Sequence, residues 1–237
     1  MLSMKHFSLV VAFCFFLGGL FFYFPEIDLY LASLFYNSDV GFKNQGYYLK
    51  NFNPGMLLLD YGAVYIVPVL FVAFIFFFSL RLYKQNQSFH YKHYLPVIYI
   101  VLATLIGPLL LVNTMKDGIF CRARPESIEE FKGYKKFTPA FTLSDQCSKN
   151  CSFVSGHAAA IFMLFSLAFL IENQKKRRKA ILYITILGLL VGIGRMAFGK
   201  HFASDIVFSG FFIYIVSYLL ALLFKLPSTN GTGKTAN

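Results

Sequence analysis

Charge is scarce in this chain, and negative charge scarcest. Asp, Glu, Lys and Arg make up 14% of 237 residues, with 11 acids against 22 Lys and Arg, while hydrophobic residues reach 57%. That balance excludes an ordinary soluble domain. No Gly-, Ser- or Pro-rich linker interrupts the middle of the chain and no repeat is visible, so nothing marks a second domain. The four cysteines lack any zinc-type spacing with the histidines. No small-x-small cleavage site precedes Pro25 in "FLGGLFFYFPEID", which makes the first apolar run an uncleaved span rather than a signal peptide.

What is present is a series of apolar runs. A spanning helix needs about 20 mostly apolar residues to cross about 30 Å of hydrocarbon. Six runs approach that length, near 7–24, 57–80, 95–115, 156–171, 180–197 and 202–224, with the fourth and fifth short. These predict an all-α polytopic membrane protein of six transmembrane helices. One domain covers 1–225, and the small polar residues of 226–237 form a disordered tail.

The net charge of +11 does not point to nucleic acid, because the basic residues lie mainly in short stretches between apolar runs. They set topology instead. "ENQKKRRKA" places five cations between runs four and five, and Arg81, Lys84 and Lys92 fall on the same side, with Lys5 and Lys225. The positive-inside rule predicts both termini and these loops to be cytoplasmic. Residues 25–56, 116–155 and a short turn near 198–201 then lie outside, and "FPEIDLYLASLFY" in the first of these has the spacing of a short interfacial helix.

With that topology the unusual polar residues gather at one membrane face. Lys116, Arg122 and Arg124 follow run three, Ser155 and His157 open run four, and Arg195, His201 and Asp205 bracket the turn between runs five and six. Each has a plain reading alone: Lys116 as a snorkelling anchor, His157 as a satisfied helix-start residue, Arg195 as a structural partner of Asp205. Those readings do not predict convergence. Three basic or histidine clusters at one depth make a cationic pocket, and two histidines with a carboxylate add proton transfer.

His201 and Asp205 are four apart, so on one helix face the carboxylate can accept a hydrogen bond from one imidazole nitrogen and leave the other nucleophilic. Lys116, Arg124 and Arg195 can neutralise phosphate oxygens, arginine through its planar fork. Ser155 and Gly156 begin a helix, where backbone N–H groups favour an anion. His157 is left to protonate a leaving oxygen. A channel, transporter or binding protein with an anion site is the rival class, although it has no need of both histidines and Asp205 together.

These residues resemble the type 2 phosphatidic acid phosphatase superfamily, whose three-part signature is K-x6-RP, PSGH and SR-x5-H-x3-D. Here the parts are Lys116, seven residues, Arg124-Pro125; then Val154-Ser155-Gly156-His157; then Gly194-Arg195, five residues, His201, three residues, Asp205. Val154 and Gly194 replace proline and serine, and one extra residue separates Lys116 from Arg124, which makes Arg122 a reserve phosphate ligand. The resemblance implies a PAP2-type helical bundle, His201 as a nucleophile forming a phosphohistidine, Asp205 as its orienting partner, and His157 as general acid. It implies Lys116, Arg124, Arg195, Ser155 and Gly156 as phosphate ligands, with no metal and no cofactor. The chain agrees in offering no clustered carboxylates for magnesium.

"FCRARP", "FTPAF" and "CSFVSGHA", together with "FPEIDLYLASLFY", are similar to bacterial lipid A phosphatases of this superfamily, which remove the 1- or 4′-phosphate at the outer face of the inner membrane. That resemblance implies a lipid phosphate substrate and membrane lipids as partners. Phosphatidylglycerophosphate and undecaprenyl pyrophosphate phosphatases are the alternatives. In an oxidising periplasm a disulfide is expected between two of Cys121, Cys147 and Cys151, with Cys147–Cys151 the shortest pairing and Cys121 to either also open.

Overall fold

The computed structural model describes residues 4–42, 62, 65, 67–85 and 91–226. The chain opens with α1 (Met4–Tyr23), which Pro25 separates from the short α2 (Glu26–Ser33). Proline is well suited to a helix start, and Glu26 and Asp28 in the first turn of α2 complement its dipole. A two-stranded antiparallel hairpin follows, β1 (Tyr36–Asn37) with β2 (Gly41–Phe42). Then come α3 (Val67–Gln85) and α4 (Tyr91–Thr104), the latter continuing through π-helical stretches at Leu105–Leu111 and Thr114–Phe120. Two single 3-10 turns lead into a loop, and α5 (Gly156–Phe162), α6 (Phe165–Phe169), α7 (Gln174–Ala197) and α8 (Ala203–Leu223) follow among the described residues.

Four of these segments are long and apolar enough to cross a bilayer: Met4–Tyr23, Tyr94–Ser127, Gln174–Ala197 and Ala203–Leu223. The molecule is therefore a mostly helical integral membrane protein. Two expected spans fall short among the described residues. Val67–Arg81 is a shorter apolar helix, and part of the expected 57–80 run lies outside the described residues. The expected 156–171 span is broken at Met163–Leu164 into α5 and α6. Fourteen residues from Gly156 to Phe169 reach about 21 Å at 1.5 Å per residue, short of a full crossing.

The fifth span is longer than the sequence suggested. The basic run Lys175–Lys179 is helical rather than loop, because Lys and Arg are good helix formers and the Asn173 side chain accepts the Lys176 N–H at 3.0 Å. Leu226 still packs into the core, and the rest of the expected tail lies outside the described residues.

The core sits where α8 meets α5, α6 and α7. Phe153, Phe162, Phe169 and Phe208 are fully enclosed there, and Phe208 meets Phe141 at a 4.6 Å centroid distance. Helices approach closely at glycines, as helices in lipid commonly do. A Cβ on Gly188 would run into Phe162, and one on Gly192 into Ile206. The second contact fixes the end of α7 against the start of α8, where Arg195, His201 and Asp205 lie.

Candidate active site

The turn between α7 and α8 is built for a sharp reversal. Gly199 takes φ +66, in the left-handed region, and a Cβ there would strike the Phe42 ring from the hairpin. Lys200 N–H returns to the Arg195 carbonyl at 3.0 Å, and the Lys200 ammonium grips both Glu126 carboxylate oxygens at 2.6 and 2.7 Å. Asp205, three residues into α8, accepts the Phe202 N–H at 2.7 Å and so caps the helix.

These contacts set the chemistry of His201. Its Nδ1 lies 2.9 Å from the Ser152 carbonyl oxygen. A carbonyl only accepts, so Nδ1 carries the proton and Nε2 keeps its lone pair. The expected partner, Asp205, stands farther off, with Oδ2 at 3.5 Å. Its oxygens are otherwise engaged: Oδ2 accepts from the Ser152 hydroxyl and the Phe202 N–H, and Oδ1 from Arg122 at 2.9 Å. The tautomer is therefore held chiefly by a main-chain oxygen, with the carboxylate as the nearby negative charge.

Burial pushes the His201 pKa well below its ordinary value, and the charges of Lys116, Arg195, Arg124 and His157 push it the same way. Cations from three separate parts of the chain thus converge on this imidazole. Lys116, 9% exposed, donates to the Asn150 side chain at 2.7 Å. Arg124 stands 4.0 Å from Glu126, and its buried Nε has no partner among the described residues. Arg195, 6% exposed, lies over the Phe198 ring at 5.6 Å. Ser155 caps α5 by accepting the Ala158 N–H, while its own N–H donates to the Asp205 carbonyl at 3.0 Å. A Cβ built on Gly156 meets nothing within 4 Å, so open space faces the start of that helix beside His157.

Arg122 belongs to another part of the site. Its guanidinium is 1% exposed and bonds Asp205 and Asp28 at 2.9 Å each, Ser204 at 2.8 Å and the Thr138 carbonyl at 2.7 Å. It also stacks on Phe202 at 4.1 Å. Four of its five donors are thereby committed to protein, and the reserve phosphate role gives way to a structural one. The pairing with Asp205 that Arg195 offered in its plain reading is made by Arg122.

Sequence reasoning missed Asp28, Asn150, Ser152 and Ser204. Asp28 is fully buried, and its carboxylate takes the Ser204 N–H at 2.9 Å as well as the Ser204 hydroxyl and Arg122. The one available signal was an acid on the apolar stripe of "FPEIDLYLASLFY". Ser152 acts partly through its carbonyl, which no side-chain pattern reveals. The expected shortest disulfide, Cys147–Cys151, is formed, leaving Cys14 and Cys121 as free thiols. It closes the loop that carries Asn150, and the Cys151 N–H donates to Asp117 at 2.8 Å.

Comparison with known proteins gives a consistent result. Residues 96–227 match the PAP2 superfamily. The chain is 34% identical over 221 residues to a lipid A 4′-phosphatase of Francisella tularensis subsp. novicida (strain U112), covering 93% of this chain and 96% of that protein. A lipid A 4′-phosphatase of Rhizobium leguminosarum is 31% identical over 193 residues, covering 78% and 81%. One of Rhizobium etli is 36% identical over 104 residues, covering 44% and 40%. No solved structure matches the chain.

Proposed function

Since this chain belongs to the PAP2 superfamily and is a phosphatase, we propose that it removes the 4′-phosphate of lipid A at the periplasmic face of the inner membrane. The observation that carries the reading is His201, whose Nδ1 is held by a carbonyl while three cations surround the imidazole. The names of the relatives support lipid A and the 4′ position. The basic starts of α1 and α7 lie at the opposite end of the helices from His201, where His6 meets Arg178 at 3.2 Å. That separation supports an outward-facing site under the positive-inside rule.

In the proposed reaction Lys116, Arg124, Arg195 and the Ser155–Gly156 helix start hold the phosphoryl oxygens. Nε2 of His201 attacks phosphorus, the bond from phosphorus to the sugar oxygen breaks, and His157 gives that oxygen its proton. The nearby Asp205 carboxylate stabilises the imidazolium that forms. Water then attacks the phosphohistidine, His157 takes its proton, the P–N bond breaks, and inorganic phosphate leaves. None of these steps asks for a metal or a cofactor.

The test uses purified full-length protein in detergent with bis-phosphorylated lipid A and a chelator. Phosphate release with mass loss at the 4′ position is expected, and His201→Ala should abolish it. Wild-type turnover in that variant would overturn the mechanism. Release only from phosphatidylglycerophosphate or undecaprenyl pyrophosphate would overturn the substrate.

A further inference from the structure

A second cationic cavity lies at the other end of the bundle. Arg177 and Arg195 are 18 residues apart on α7, about 27 Å of helix at 1.5 Å per residue. Around Arg177, a cavity of about 80 Å³ is lined by His6, Gln174, Arg178, Tyr214 and Tyr218, with no acid among its lining residues. A water needs only about 10–15 Å³ measured this way, so a tetrahedral oxyanion fits. Arg177 is 5% exposed, yet its buried Nη1 has no hydrogen-bond partner among the described residues. Buried polar groups are normally satisfied, and a buried guanidinium N–H left open points to a missing acceptor.

The surroundings say which acceptor. Arg177 closes the first turn of a 24-residue helix and Arg178 follows it, near the end where the dipole also favours an anion. A larger cavity of about 350 Å³ adjoins this one, sharing Ile181 and Tyr214, and its walls are apolar side chains such as Val10, Phe162 and Phe165. A charged recess beside an apolar groove, with Ile181 and Tyr214 forming walls of both, matches a molecule with a phosphate head and a hydrocarbon tail. A free oxyanion has no use for the groove, and an acyl chain alone has none for the arginine.

We propose that this pair of cavities is a second lipid site, distinct from the catalytic one, which binds an anionic phospholipid with its phosphate on Arg177 and an acyl chain along the groove. Native mass spectrometry and thermal unfolding of the full chain in detergent test it, with phosphatidylglycerol, phosphatidylcholine or inorganic phosphate added. The expected result is one phosphatidylglycerol retained per chain, with a raised midpoint, and weaker retention of phosphatidylcholine. Arg177→Gln should lose about tenfold or more in retention, the worth of one charge-assisted hydrogen bond, while keeping phosphatase turnover. Val10→Trp, which fills the groove without touching the arginine, should lose retention as well and covers the case in which Arg177→Gln does not fold. Equal retention of both lipids, unchanged retention in the two variants, or an Arg177-dependent shift with inorganic phosphate alone would each overturn the proposal.

Discussion

His201 titrates in surroundings hostile to its cation. With its folded pKa below the ordinary 6.5, the unfolded chain takes up a proton first as pH falls. The His201 contribution to stability should therefore be constant above about pH 6.5 and decline below it, which thermal unfolding against pH of wild type and His201→Ala would show. The same depression keeps the proposed nucleophile unprotonated, so the acid limb of kcat/KM should lie below pH 6.5. Arg195→Gln removes one of the cations and should move that limb to higher pH while lowering turnover. Arg122 bears on stability instead. Arg122→Gln strands Asp28 and Asp205 as buried carboxylates without their shared counter-ion. Breaking such an arrangement costs about 3–5 kcal/mol, read as a large drop in unfolding midpoint. The proposed chemistry also has a regiochemical signature. Because Nδ1 faces the Ser152 carbonyl, phosphate must be found on Nε2 in any trapped intermediate, and phosphate on Nδ1 would contradict it.

At the level of elements, the join between α7 and α8 rests on a missing side chain. Gly192→Val would drive its methyls into Ile206 and force apart the helices that carry Arg195 and Asp205. Overpacking of this kind costs about 1–3 kcal/mol, and a loss of turnover larger than the loss of stability is expected. The Lys116 segment has a backbone form that its residue types do not reveal. Thr114–Phe120 is π-helical, and the Cys121 N–H returns to the Lys116 carbonyl five residues back at 3.2 Å. The sequence could show the seven residues between Lys116 and Arg124 but not the π-helical backbone that carries the first of them. The loop ahead of α5 is checked by thiol counting: two reactive cysteines per unfolded chain before reduction and four after are expected.

For the molecule as a whole, the apolar runs made the helical membrane architecture legible, and the spacing of Arg195, His201 and Asp205 pointed to a candidate site whose Ser152 carbonyl contact it did not show. Periodicity and spacing are local quantities, and these features are local. The division of the 156–171 run into α5 and α6 was not readable, because apolar side chains persist through the break at Met163–Leu164. Nor was the Asp28–Arg122–Asp205 network, whose members meet only after folding. Asp28 and Ser204 are separated by 176 residues of chain. At roughly 5–20 residues per second, the ribosome needs roughly 9–35 s to deliver one after the other. Through that interval Asp28 lacks the Ser204 N–H and hydroxyl, and Arg122 lacks Asp205, so chains terminated before residue 203 should be marked for proteolysis. Quality control of this protein falls on α8, the last of the described helices to be translated.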